Sequence, residues 1–376
     1  MKTAFVNGKI ILNDRISDEE LIIKDKSIFS LGPMNRAKEI DLEGDYLCAG
    51  LLELHTDNLE KHISPRPGII WPSTLSAVKA HDTQIIGAGI TTVFDSIAIG
   101  FRGDDNLRSQ IFKDSIAVLD YAQKKDLLRA SHLIHLRCEL PGENTSDIFE
   151  EFLNEEKLKL VSLMDHTVGQ RQWRDISKWR TFHRAKSWTD EEAKNEIEKL
   201  KIMQSMYAEK NKSIILSKCK ELNISVASHD DTTEEHCLDA FNNGIVISEF
   251  PTSKAAAVKA KSLGLKTIMG APNVVREGSH SGNVSAIELA NERLLDGLSS
   301  DYVPISLLHG AFMLHQKAGF TIPEAMATVT KNIAAMLKIE DRGEIMEDKR
   351  ADLVRIRLIN DTPIVINVWQ QGERVF

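Results

Sequence analysis

Eight short apolar runs lie between residues 51 and 300, and nearly all of them stop at a side chain that can carry charge. Residues 51–54 run into His55, 91–94 into Asp95, and 133–136 lead to Glu139. Residues 160–164 lead to Asp165 and His166, 224–228 to His229, and 245–248 to Glu249. Residues 266–269 reach Gly270, and 294–300 reach Asp301. Polar, helical-period stretches lie between several of these runs. The longest, 189–222, opens Thr189-Asp190-Glu191-Glu192, a capping-box pattern. Another opens Thr321-Ile322-Pro323-Glu324, with proline in the first turn. Alternation of this kind predicts an α/β fold, a closed (β/α)8 TIM-like barrel spanning 51–341. A doubly wound sheet would carry a glycine-rich phosphate loop after its first strand, and the chain has none there.

The two ends of the chain read differently. Short apolar runs at 4–6, 9–12, 21–23 and 27–29 predict strands, with the turn pair Asn7-Gly8 between the first two. Residues 351–356 and 364–369 predict strands again, and Gln371-Gly372-Glu373-Arg374 predicts a final hairpin. Isolated hairpins are only marginally stable, so residues 1–50 and 342–376 are expected to pair into one small β-sandwich enclosing the barrel in sequence.

Composition narrows the functional class. Apolar residues make up 42% and charged residues 27%, an ordinary globular balance. The net charge of −8 does not suit sequence-blind nucleic-acid binding. Cys48, Cys138, Cys219 and Cys237 are scattered without a CxxC pair, which argues against both a disulfide framework and a zinc-thiolate site. The N-terminus has no signal-peptide pattern, and no apolar run approaches the roughly 20 residues of a membrane span. The expected setting is the cytoplasm, with reduced thiols, no membrane and no nucleic-acid partner.

The strand-end residues carry the chemistry. His55-Thr56-Asp57 places an imidazole and a carboxylate at i and i+2, which point the same way on extended chain. Such a pair suits a borderline divalent metal, but alone it is more often than not a satisfied surface or core pair. Glu139, His166, His229 and Asp301 recur at later strand ends, and a barrel gathers those ends around one mouth. The metal-ligand candidates are therefore His55, Asp57, Glu139, His166, His229 and Asp301. Asp301 is also the candidate proton-transfer group; the plainer reading makes it a helix cap. Asp230 and Asp231 either orient His229, bind a second ion, or cap a helix.

Cations are concentrated in the loops that follow the strands. Lys61, Arg66, Arg137, Arg171, Lys254 and Arg276, with Ser279 and His280 in the segment Ser279-His280-Ser281-Gly282-Asn283, are candidates for binding an anionic, phosphate-bearing substrate.

These residues resemble a known family. The opening Val6-Asn7-Gly8-Lys9-Ile10, the strand bearing His55-Thr56-Asp57 and the tail from Gly343 to Val354 resemble the amidohydrolase superfamily. His135-Leu136-Arg137-Cys138-Glu139, Ser162-Leu163-Met164-Asp165-His166, Ala227-Ser228-His229-Asp230-Asp231 and Ser299-Ser300-Asp301-Tyr302 are similar, within it, to diphosphatases of phosphonate breakdown. The resemblance implies a barrel with a β-sandwich. It also implies a metal-dependent hydrolase that removes pyrophosphate from a phosphorylated sugar, α-D-ribose 1-methylphosphonate 5-triphosphate. The implied cofactor is one or two divalent ions, zinc first and manganese or iron as alternatives. The chain is also a possible homo-oligomer. Two positions depart from the wider superfamily: Asp57 stands where most members have a second histidine, and Ile333 replaces the proline of an Asn-Pro-Ala motif.

Two rival readings remain. The same metal site acting on a cyclic amide or deaminating a base would need few cations at the mouth. A non-catalytic member of the fold would be expected to have lost ligands, and all the candidates are present.

Overall fold

The computed structural model describes residues 2–66, 68–100, 106–182, 188–279 and 282–376. Eight parallel strands form its centre: Leu51–Thr56, Ile90–Ile99, Ser131–Glu139, Leu158–Met164, Ser225–His229, Ile247–Glu249, Lys266–Gly270 and Gly297–Ser299. They pair in chain order, so each of the eight apolar runs is a barrel strand. The ring closes where Thr56 bridges Asp301 in parallel. Parallel strands are covered on both faces, which is why their sequences read as continuous apolar runs. Leu52, Leu54, Phe94, Leu160, Ala227, Ile247 and Ile268 pack with Ile333, Met336 and Leu337 in one apolar cluster. The last three lie on or beside the helix Lys331–Met336.

The capping signals are realised. Thr189 and Glu192 cap each other at the start of helix Asp190–Glu221, and Thr321 and Glu324 do the same for Ile322–Ala327. All four cysteines are free and buried. No helix among the described residues is long and apolar enough to cross a membrane.

The chain ends build two further sheets. One, in the order Ser27–Leu31, Leu21–Lys24, Lys2–Val6, Lys38–Asp41, comes wholly from the N-terminal segment. The other joins both ends, because Tyr46–Ala49 pairs antiparallel with Leu353–Ile359. Phe5 of the first sheet meets Trp369 of the second edge to face, at 4.9 Å between centroids. Arg355 and Arg357 from the C-terminal strand both grip Asp45, at 2.6 and 2.8 Å.

Asn7-Gly8 is a turn, with Asn7 at φ 54°, but it does not make a hairpin. The strands on either side belong to different sheets, so the turn hands the chain from one layer to the next. A Cβ on Gly8 would fall 2.3 Å from Leu42 Cδ1, which explains the glycine by close approach. The C-terminal hairpin forms as expected through Gln371 and Gly372, both at positive φ.

Candidate metal centre and anion pocket

The barrel's carboxyl ends bring the candidate ligands together. His55 is near the end of the first strand, His229 ends the fifth, and Glu249 ends the sixth. His166 lies two residues beyond the fourth strand, and Asp301 two beyond the eighth. Asp230 and Phe250 immediately after a strand, and Asp301 two residues after one, take left-handed backbone, at φ 55°, 55° and 53°. That conformation costs a non-glycine residue roughly 1–2 kcal/mol, so surrounding contacts must hold these three in place.

Glu249 organises the histidines. His55 Nδ1 donates to its Oε1 at 2.6 Å, and His229 Nδ1 donates to its Oε2 at 2.7 Å. Ser162 Oγ adds a third donor at 2.8 Å. Burial alone would raise the Glu249 carboxyl, but the facing imidazoles hold it well below the ordinary range. With Nδ1 engaged, each ring leaves Nε2 as its second ligating nitrogen. The two rings stack at 19° with centroids 5.7 Å apart, and Phe250 packs edge-on against both. Glu139 plays the same part for His166: it accepts from Nδ1 at 2.5 Å and from the backbone amide at 2.9 Å. Burial would lower the His166 pKa, but the Glu139 charge raises it.

His166, His229 and Asp230 place one ligand atom each within 4.8 Å of one another. Asp230 Oδ2 stands 3.5 Å from His229 Nε2 and 3.8 Å from His166 Nε2. Asp57 Oδ1 is buried with no hydrogen-bond partner among the described residues. A divalent cation satisfies a buried carboxylate oxygen that has no donor, and with the His166, His229 and Asp230 ligand atoms gathered so closely the donor set fits a metal. Burial pushes the Asp301 carboxyl up, and the neighbouring Asp57 pushes it the same way.

The cavity above is lined by His55, His166, His229, Asp230 and Asp301 together with Arg137, Arg276, Ser279 and Asn283. Gln172, Asn273 and Tyr302 complete its polar wall.

Not every expected cation reaches this cavity. Arg171 turns away: its Nη1 bonds the His229 carbonyl and Asp231 Oδ1, and it lines a separate pocket. Lys254 points outward and pairs with Glu292 at 2.5 Å. Arg66 is exposed, bridged through its backbone to Ile69. Lys61 bonds the Tyr302 carbonyl and sits over that ring, behind the cavity wall. His280 lies outside the described residues. Asp57 and Glu139 do not line the cavity; Glu139 acts on it through His166. The capping alternatives fall away, because Thr233 caps the helix after Asp230 and Asp231, and Ile305 occupies that place after Asp301.

Glu249 is the site residue that sequence reasoning passed over, while Asp230, read there as orienting His229, binding a second ion or capping a helix, lines the cavity. Both carried a signal, since Glu249 ends a strand run and Asp230 follows one. Neither position alone reveals that Glu249 is fully enclosed between two imidazoles.

A second polar cluster lies outside the barrel wall. His81 Nε2 and His132 Nδ1 both donate to Asp95, at 2.7 and 2.8 Å, and Asp82 lies 3.4 Å from His132 Nε2. Lys79 pairs with Asp82, and the Asn58 amide bonds His81 Nδ1. Burial lowers His81 and would lower His132, but carboxylates on both nitrogens push His132 up to about 9. A raised pKa stabilises the fold fully below the ordinary value near 6.5, and that contribution disappears as pH rises through about 9. Urea denaturation is therefore expected to give lower stability at pH 9.5 than at pH 7. A His132→Gln variant should lack most of that slope, and an unchanged slope would remove the charge from His132.

Comparison with known proteins agrees with this geometry. No family model matches the chain. The chain is 42% identical over 375 residues to the α-D-ribose 1-methylphosphonate 5-triphosphate diphosphatase of Escherichia coli K12, covering 98% of this chain and 99% of that protein. The chain belongs to this diphosphatase family. Its fold is shared with distant hydrolases. The crystal structure of N-acetylglucosamine-6-phosphate deacetylase from Pasteurella multocida aligns over 100% of this chain and 99% of its own, at 12% identity and TM-score 0.65. Molinate hydrolase aligns over 100% and 94%, at 11% identity and TM-score 0.68. At such low identity these two establish the fold alone. The resemblance seen in separate sequence blocks thus corresponds to 42% identity over nearly the full length of both chains.

Proposed function

We propose that this chain hydrolyses the 5-triphosphate of α-D-ribose 1-methylphosphonate 5-triphosphate, releasing pyrophosphate and leaving the 5-phosphate. The observation that carries the reading is one cavity lined by imidazoles and carboxylates together with Arg137 and Arg276, in a chain of this family. In the same reading, residues 1–50 with 342–376 form a small sandwich unit, 51–341 form the catalytic barrel, and the enzyme works in the cytoplasm.

His55, Asp57, His166, His229 and Asp230 are the residues that would hold one or two divalent ions, with zinc preferred for its affinity for imidazole and carboxylate. A bound ion supplies Lewis-acid chemistry, lowering the pKa of water from about 16 towards 7 and screening phosphate oxygens. The protein's own groups do the rest. Glu249 and Glu139 keep the imidazoles in the orientation that leaves Nε2 available. Asp301, with its raised pKa, takes the proton of the attacking water and returns one to the departing pyrophosphate. Arg137 and Arg276 neutralise the charge that accumulates on phosphate oxygens as the anhydride bond breaks.

Phosphorus NMR of the products tests the reading. Pyrophosphate and the 5-phosphate should appear in equal amounts, and stripping the protein with a chelator should slow the reaction by at least about 10³-fold. Orthophosphate as the main product, or full activity after stripping, would overturn it. A paired substitution tests the pocket. Arg276→Ala should raise KM about tenfold or more, as loss of a charge-assisted contact of about 1.5–3 kcal/mol implies. Lys254→Ala should leave KM within about twofold, because a surface ion pair such as Lys254–Glu292 contributes little. An Arg276→Ala variant whose KM stays within about twofold of the parent in steady-state assays, as for Lys254→Ala, would place Arg276 outside the anion site.

A further inference from the structure

The ring closes on very little backbone. Between the eighth strand and the first the ladder consists of the single Thr56–Asp301 bridge. Side chains supply what the ladder lacks. Thr56 Oγ1 donates to the Asp301 carbonyl at 2.6 Å and accepts from the Asn58 amide at 3.2 Å, so one hydroxyl ties down both Asp301 and the turn that carries Asp57. Ser299 Oγ donates to the His55 carbonyl at 2.5 Å, and the Asp301 amide bonds that same carbonyl at 3.1 Å. Glu53 spans the gap from below: one oxygen accepts from the His55 amide at 2.7 Å, the other from the Ser300 amide at 2.5 Å. Glu53, Thr56 and Ser299 are all fully buried.

We propose that Glu53, Thr56 and Ser299 are positioning residues: together they fix the register between His55, Asp57 and Asp301 across the closing seam. The argument is geometric. Asp301 is held in left-handed backbone, a conformation that does not persist unless its neighbours over-determine it. Its amide and carbonyl are both anchored to the first strand, at residues 55 and 56. The same two residues lead directly into Asp57. An ordinary ladder would align only backbones. Here the hydroxyl of Thr56 ties the Asp301 backbone to the Asn58 amide, one residue beyond Asp57, and so holds the backbone on which both candidate carboxylates stand. The proposal rests on reading His55, Asp57 and Asp301 as site residues.

Thr56→Val removes both hydroxyl bonds without changing shape, and Thr56→Ser restores them. The measurements are kcat and KM for pyrophosphate release, the visible absorption of the cobalt-loaded protein, and cobalt affinity by chelator competition. Thr56→Val should lower kcat by about 10²-fold with KM within about threefold, as sub-ångström to ångström misplacement implies. Its cobalt spectrum should shift, and Thr56→Ser should recover kcat to within about threefold. A folded Thr56→Val protein with wild-type kcat and cobalt spectrum overturns the proposal, and so does failure of Thr56→Ser to rescue. Should Thr56→Val not fold, Ser299→Ala is read by the same three measurements, with the same shift expected and an unchanged spectrum and kcat overturning the proposal. Wild-type protein that binds cobalt but releases no pyrophosphate would refute the assigned reaction instead, while the spectra of the variants still decide the role of the seam.

Discussion

Asp301→Asn is expected to lower kcat for pyrophosphate release by about 10³-fold, within the range for losing a general acid–base group. The substitution keeps shape and the backbone bonds to His55 and Thr56, and asparagine tolerates left-handed backbone. Thermal denaturation should therefore stay close to that of the parent, and KM should change little. What disappears is a carboxyl pushed up by burial and by Asp57, poised to gain and lose a proton inside the cavity. Steady-state kinetics with metal quantified per chain checks this. A variant that retains its metal and turns over near the parental rate would take Asp301 out of proton transfer.

Glu249→Ala should be the most damaging substitution for the assembly of the site. It leaves His55 Nδ1, His229 Nδ1 and Ser162 Oγ without their acceptor in a region closed to solvent. Removing one partner of a buried charged network costs about 3–5 kcal/mol. Loss of the group that orients metal-binding imidazoles weakens metal affinity by about 10–100-fold. Urea denaturation and chelator competition measure the two effects separately. Glu249→Gln, which keeps one acceptor oxygen, should fall between parent and alanine in both. Parental stability and metal affinity in Glu249→Ala would show that the imidazoles hold their orientation without it.

The barrel was legible because its strands are covered on both faces. Eight apolar runs cannot all be amphipathic helices, and their polar terminators mark the end at which barrels keep their chemistry. The pairing of the chain ends was legible from short strands too weak to stand alone. Asn7-Gly8 shows the limit of local signals. It specifies a turn, yet whether that turn closes a hairpin or passes between layers depends on which strand pairs with which, and that is settled by distant partners such as Tyr46–Ala49 and Leu353–Ile359.

The site divides along the same line. His55, His166, His229 and Asp301 were marked by position alone. Arg171 and Lys254 were marked by the same rule, and the fold turns them elsewhere. Lys254 meets Glu292, 38 residues onward, and Arg171 meets Asp231, 60 residues onward. Being at a strand end places a residue near the mouth but does not aim its side chain.

The sequence by itself therefore determined most of the residues that stand at the mouth of the barrel, because strand periodicity and strand ends are local properties of the chain; Asp95, also read as a strand end, lies within Ile90–Ile99 and joins the outer cluster with His81 and His132. Only the tertiary structure decided which of them face the cavity, that Glu249 orients two imidazoles, and that three buried side chains close the ring. Those outcomes depend on contacts between residues as much as 247 positions apart, such as Glu53 and Ser300, and no local pattern encodes the direction of such a contact.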